Sequence, residues 1–248
     1  MSVLVINDLA GTGKVAGSIN IAILSAAGFE VTFLPTCLLT HHTGSGPIYK
    51  EIIIDYFQQA LAAWENVAFE LIVTGYFSSV EQLRNFTNWY DQLAVKPPLI
   101  VDPVMADNDK LYSGFDERYV EVMKSLCQLA TLVLPNQTEA TFLFGNSLPE
   151  SVIVTGIEVE GKIGVLLSNG DLMAINYQPG HFYGTGDAFT SLIAAGYMKQ
   201  FEVEATLNFA LKWLNKAVYL TRKVKGDSPN SLLFEPLTNE ITQFFGGK

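Results

Sequence analysis

Chemistry is densest in the stretch YGTGDAF, residues 183–189, where two glycines bracket a threonine and an aspartate precedes an apolar run of small residues. A glycine-rich turn that feeds a helix N-terminus suits phosphate, because free backbone N–H groups and the positive end of the helix dipole converge there. The carboxylate of Asp187 is out of place in an anion site. On these residues alone it reads most simply as an N-cap that satisfies orphan amides. Two further stretches carry acidic groups, DPVMADNDKLYSG from Asp102 and PNQTEATFLFG with Asn136 and Glu139. Asn136 and Glu139 stand at i and i+3, a spacing that fits a capping box at least as well as a ligand pair. Asp102 closes a very apolar strand. A cluster of one or two carboxylates and an amide suits magnesium, which takes oxygen ligands and keeps several waters.

The N-terminal GTGKVAG resembles a nucleotide loop but fails both standard spacings. Gly11, Gly13 and Gly17 miss G-x-G-x-x-G by one residue, and Lys14 is followed by Val15 with no glycine at the position that G-x-x-x-x-G-K-[ST] requires. These glycines are expected to shape a turn beside a ligand.

The elements that must position these groups follow from hydrophobic patterning. Short apolar runs at 3–6, 30–35, 69–75, 98–103, 130–136 and 151–156 predict buried strands. They alternate with amphipathic stretches at 18–27, 51–66, 80–93, 116–128 and 137–144, which predict helices. That alternation describes a mostly parallel sheet with helices on both faces, an α/β fold. After residue 156 the rhythm changes to a β-hairpin turning at Asn169-Gly170, then the GTGD helix and a long helix from 203 to about 224. Asn7, Asp8, Gly75, Tyr76, Asp102, Asn136, Glu139, Thr155 and Gly156 all follow strands, and ligands of open α/β sheets bind beyond the carboxyl ends of strands. With no repeat and no linker-like tract, residues 1–248 are expected to form a single domain.

Composition narrows the partners. The chain carries a formal charge of −10 and three histidines too scattered for a metal cluster. A nucleic-acid backbone or an anionic membrane is therefore an unfavourable partner, and an anionic ligand must be held locally. Cys37 and Cys127 lie far apart, which fits a reducing compartment. No signal-like or membrane-length segment is visible, so the expected location is the cytoplasm.

Taken together, INDLAGTG, HHTGSG, TGYFSS, DPVMADNDKLYSG, PNQTEATFLFG, YGTGDAF and LLFEPL resemble the pyridoxal/pyridoxamine kinase branch of the ribokinase-like superfamily. The resemblance covers essentially the whole chain. It implies a ribokinase-like three-layer sandwich without a separate lid domain, and ATP-dependent phosphorylation of the 5′-hydroxymethyl group of pyridoxal, pyridoxamine or pyridoxine. It assigns Asp187 as the base and the amides of Gly184, Thr185 and Gly186 as the anion hole. It places Asp8, Thr43 and Tyr76 against the vitamin ring, and Asn136, Thr155, Gly156 and Thr185 on the nucleotide side. Asp102 and Glu139 fall at the magnesium positions. The resemblance also brings in a monovalent cation such as K+, a homodimer, and a flap over the vitamin at 41–50.

Three departures stand out: Ala106 where glycine is usual, Asp8 where serine is common, and only GNSLPE between a helix and the next strand, where relatives insert a further helix. The short connection is expected to leave a surface uncovered, with Leu148 at a subunit interface. A hydroxymethylpyrimidine kinase of thiamin synthesis is the nearest alternative. A pyridoxal-binding protein without catalysis is the other.

Overall fold

The computed structural model describes residues 1–42, 44, 46–227, 229 and 231–246. Its frame is a six-stranded sheet in the order β3-β2-β1-β4-β5-β8. The strands are β1 (Ser2–Ala10), β2 (Glu30–Leu39), β3 (Lys50–Ile52), β4 (Leu71–Thr74), β5 (Leu99–Val101) and β8 (Leu132–Val133). All neighbours run parallel except β3, which returns antiparallel along β2 at the sheet edge. Two parallel bridges, Val133 with Val152 and Asn136 with Thr155, carry the sheet into an antiparallel meander. That meander consists of β9 (Ile153–Val159), β10 (Lys162–Leu167) and β11 (Leu172–Asn176). A small hairpin, β6 (Ala106–Asp107) and β7 (Lys110–Leu111), follows β5.

The two faces separate by strand parity. On β1, Val3 and Val5 enter one core while Leu4 and Ile6 enter the other, the period-two alternation of a strand covered on both sides. The first face is covered by α1 (Gly17–Ala26), α6 (Thr185–Met198), α7 (Val203–Lys225) and α8 (Thr238–Phe245). The second is covered by α2 (Ile54–Ala63), α3 (Val80–Gln92), α4 (Glu117–Leu129) and α5 (Gln137–Phe144). Fully buried aromatics anchor both, Trp213 and Phe245 in the first and Tyr119, Phe57 and Phe86 in the second. This is the three-layer α/β arrangement expected from the sequence.

Ala106 is fully buried in β6 and is not among the residues with positive φ, so alanine sits there without backbone strain. In the short connection 145–150, Leu148 is half-buried and packs against the second core of its own chain. The end of that connection borders a groove of about 850 Å³ at the amino ends of the strands, with Leu132, Glu150, Ile153, Ile193, Tyr197 and Phe201 among its lining residues. No helix among the described residues is long and apolar enough to cross a membrane.

Candidate active site

At the carboxyl ends of β1, β4, β5 and β8 the polar residues converge. Asp187 occupies the third position of α6, whose N-cap is Gly184 in the left-handed region at φ 87°. No side chain caps this helix. The Asp187 carboxylate turns outward: the Ala16 amide donates to Oδ2 at 2.9 Å and the Asn7 side-chain amide donates to Oδ1 at 3.1 Å. It therefore bonds to groups on β1 and the loop before α1, and the N-cap reading gives way to a carboxylate held at the mouth of an uncapped helix. Burial raises its pKa above the ordinary carboxylate range, with the bonds from Ala16 and Asn7 opposing that rise.

Asn7 is the hub. It is buried, and its amide donates both to Asp187 and to the Asn20 carbonyl oxygen at 2.9 Å. Its own oxygen accepts from the amides of Asp8 and Tyr76 at 3.0 and 2.9 Å. Asn20, on α1, donates to the Asp187 backbone carbonyl at 3.1 Å and to Ser191 at 2.9 Å. All of these bonds are buried or partly buried, and such fully satisfied networks fix one geometry. The sequence offered a signal for Asn20, a polar residue inside the apolar helix GSINIAILSA, but assigned it no role. Ala16 gave none. Its strained φ of 49°, which aims the amide at Asp187, arises only in the folded loop.

Beside α6 lies a cavity of about 180 Å³ lined by Asp102, Asn136, Glu139, Thr155, Gly186, Asp187 and Thr190, with Tyr112 among its walls. The Thr190 hydroxyl donates to Asp102 at 3.0 Å. Asn136 and Glu139 do form the capping box, with the Glu139 amide donating to Asn136 Oδ1 and the Asn136 amide donating to Glu139 Oε2, both at 2.9 Å. Glu139 Oε1 in addition accepts from the amides of Met105 and Ala106 at 3.0 and 3.4 Å, and Asn136 donates to the Ala106 carbonyl at 2.8 Å. The box thus also holds the loop after Asp102.

Burial drives Glu139 up to about 7. Burial, then repulsion from Glu139 and Asp187, holds Asp102 well above the usual range. No group of three or more acidic, histidine or cysteine residues that could hold a metal gathers among the described residues. Two buried carboxyls with raised proton affinity, Asp102 in part through the charge of Glu139, offer only oxygen and fit a hard divalent cation that keeps water and phosphate oxygens as its other ligands.

Thr155 bonds through its amide to the Pro135 carbonyl at 2.8 Å. Gly156, at φ 70°, is exposed on β9 and does not line the cavity. The Thr185 hydroxyl donates to the Phe182 carbonyl at 3.3 Å. On the other side of Asp187 stand Asp8, which is buried, and Tyr76, which is partly buried. Thr43 lies outside the described residues; the ring centroid of His42, which precedes it, is 4.6 Å from that of Tyr183 beside the GTGD segment.

Residues 24–151 match the phosphomethylpyrimidine kinase family. The crystal structure of pyridoxal kinase from Lactobacillus plantarum superposes with a TM-score of 0.88 at 29% identity, over 98% of this chain and 97% of that one. A candidate phosphomethylpyrimidine kinase from Bacteroides thetaiotaomicron, in a crystal form with pyridoxal, gives a TM-score of 0.86 at 26% identity over 97% and 95%. A candidate pyridoxal kinase of Schizosaccharomyces pombe is 29% identical over 207 residues, 69% of this chain and 66% of the relative. The chain spans about two thirds or less of the length of the curated relatives it matches. With half of its length in the family match and nearly all of it in the shared fold, the chain belongs to the phosphomethylpyrimidine kinase family, in the pyridoxal kinase branch of the ribokinase-like superfamily.

Proposed function

We propose that this chain transfers the γ-phosphoryl group of ATP to the 5′-hydroxymethyl group of a B6 vitamer, with Asp187 as the base. The observation that carries the reading is the Asp187 carboxylate, held by Asn7 and Ala16 away from its own helix yet adjoining that helix's uncapped N-terminus. In-line phosphoryl transfer needs this pairing: amides face the phosphoryl oxygens while a base faces the attacking hydroxyl. Asp187 accepts the hydroxyl proton, and its raised pKa makes it a stronger base than an exposed carboxylate. The backbone of Gly184, Thr185 and Gly186 receives the phosphoryl group. Asn136, Thr155, Gly156 and Thr185 border the nucleotide side, and Thr43 belongs with Asp8 and Tyr76 on the vitamin side. Asp102 and Glu139 would hold magnesium, which neutralises phosphate charge when bound. A monovalent cation such as K+ is part of the same reading.

The flap excludes water that would compete as phosphoryl acceptor. A homodimer in the cytoplasm completes the reading. The family name points to a pyrimidine acceptor, and the second substrate is hydroxymethylpyrimidine, which presents a similar hydroxymethyl group. An ADP-release assay with pyridoxal, pyridoxamine and hydroxymethylpyrimidine side by side separates the two. No ADP release with any of the three acceptors would point to a non-catalytic binding protein. Replacement of Asp187 by Asn should lower kcat by about 10² to 10⁴, with a loss of stability of about 2 kcal/mol because both of its oxygens accept from N–H groups. Normal turnover in that variant would end the assignment of the base.

A further inference from the structure

Lys50, at the end of the segment 41–50 and the start of β3, has no role in the reading above. On the sheet edge it pairs in register with Leu39, which pairs in turn with Ala10, so that Asp8 sits two residues back along the third strand. Its ammonium is drawn inward, donating to the Tyr76 hydroxyl at 2.7 Å and standing 4.9 Å from the centre of the Tyr76 ring. Asp8 faces the opposite difficulty. Its residue is only 9% exposed, and among the described residues no other side chain donates a hydrogen bond to its carboxylate, which its own backbone amide serves. A buried carboxylate served only by its own backbone keeps unused acceptor capacity, and such sites mark where a ligand completes the set.

The two charges feel each other, since Lys50 lowers the pKa of Asp8, but no ion pair joins them among the described residues. Opposite charges that share a cleft without touching leave room for a ligand with the complementary pattern. The walls agree with a flat ring. Tyr76 stands 5.7 Å from Phe115 between ring centres, and Cys37, Leu39 and Tyr183 close a small apolar cluster with it.

Resting on the vitamin B6 reading, we infer that Asp8 and Lys50 select the zwitterionic form of a 3-hydroxypyridine ring. The Asp8 carboxylate accepts from the ring N–H, and the Lys50 ammonium, steadied by Tyr76, donates to the deprotonated 3-oxygen. A 3-hydroxypyridine carries that charge separation at neutral pH. An aminopyrimidine has no acidic ring hydroxyl and gives Lys50 nothing to hold. The pair is thus a specificity determinant that disfavours pyrimidine acceptors.

The test measures equilibrium binding of pyridoxine and of 3-deoxypyridoxine, which lacks the ring hydroxyl, to the wild-type protein, Lys50→Met and Asp8→Asn. Lys50→Met should weaken pyridoxine binding at least tenfold and leave 3-deoxypyridoxine unchanged, which also shows that the variant is folded. Asp8→Asn should weaken both at least tenfold. Equal losses for both ligands in Lys50→Met, or no loss for either, overturn the inference while the B6 reading stands, provided the wild-type protein phosphorylates pyridoxine. A wild-type protein that phosphorylates hydroxymethylpyrimidine and no vitamer overturns both.

Discussion

Four carboxyl groups, Asp8, Asp102, Glu139 and Asp187, share one cleft, and burial lifts the pKa of every one. For Asp8 the shift runs from 3.8 to about 7, with burial first and repulsion from Asp187 second. Because the folded pKa is raised, the native state holds a proton that the unfolded chain has released. The associated stability is full below about pH 4 and is lost as pH rises through about 7. Asp8→Asn cannot titrate, so it should melt at least about 4 °C above the wild-type protein at pH 8, with the gap closing toward pH 4. A gap of equal size at both ends of that range would refute the assignment. Glu139 makes a contrasting case. Gln is tolerated in an ordinary capping box, but here both Glu139 oxygens accept from three amides. Gln offers one acceptor and turns an NH2 toward an N–H. Glu139→Gln should therefore cost about 2 kcal/mol and also raise the magnesium concentration needed for half-maximal rate. A melting curve and magnesium titration that both match the wild type would show that neither role holds.

Elements bring these residues together through close backbone approaches. The loop at 11–16 lies against the start of α6: a Cβ added to Gly184 would meet Ile19 Cδ1 at 2.4 Å and the Lys14 carbonyl at 3.2 Å. With φ at 87° as well, Gly184→Ala should lose about 2 kcal/mol, roughly 4–8 °C in Tm, and lower kcat by displacing the anion hole. Wild-type melting and turnover in that variant would mean that the contact is soft. The strands and helices carrying the motifs were legible because their apolar periodicity is strong, as in VLVI and LIVT. The edge strand β3 was not, since its three residues are largely exposed and read as part of a helix beginning at 51. Nor was the β6–β7 hairpin, whose two-residue strands depend on the Asn136 and Glu139 bonds to Ala106. Asp187, Asp102 and Glu139 were legible as motif residues. The groups that aim Asp187 come from a different part of the chain: the Ala16 amide has no local signature, and Asn20 shows only as a polar residue inside an apolar helix.

On the scale of the whole molecule, the groove of about 850 Å³ opens at the end of the sheet away from the cleft, and association would not block substrate there. A dimer is the expected state, and light scattering at micromolar concentration checks it: a mass near 27.2 kDa, that of one chain, would sink the expectation. The bond between Asn7 and Asp187 spans 180 residues, and the contact of Lys14 with Glu235 spans 221. Closing such loops carries a large entropy cost before any contact rewards it, so chains of this topology fold slowly and gain their distant contacts late. During synthesis, β1 to β3 and the flap between them leave the ribosome long before α6 does. A nascent chain holds the groups assigned to the vitamin while it still lacks the base, and the capacity to transfer phosphate arrives as one of the last steps of maturation.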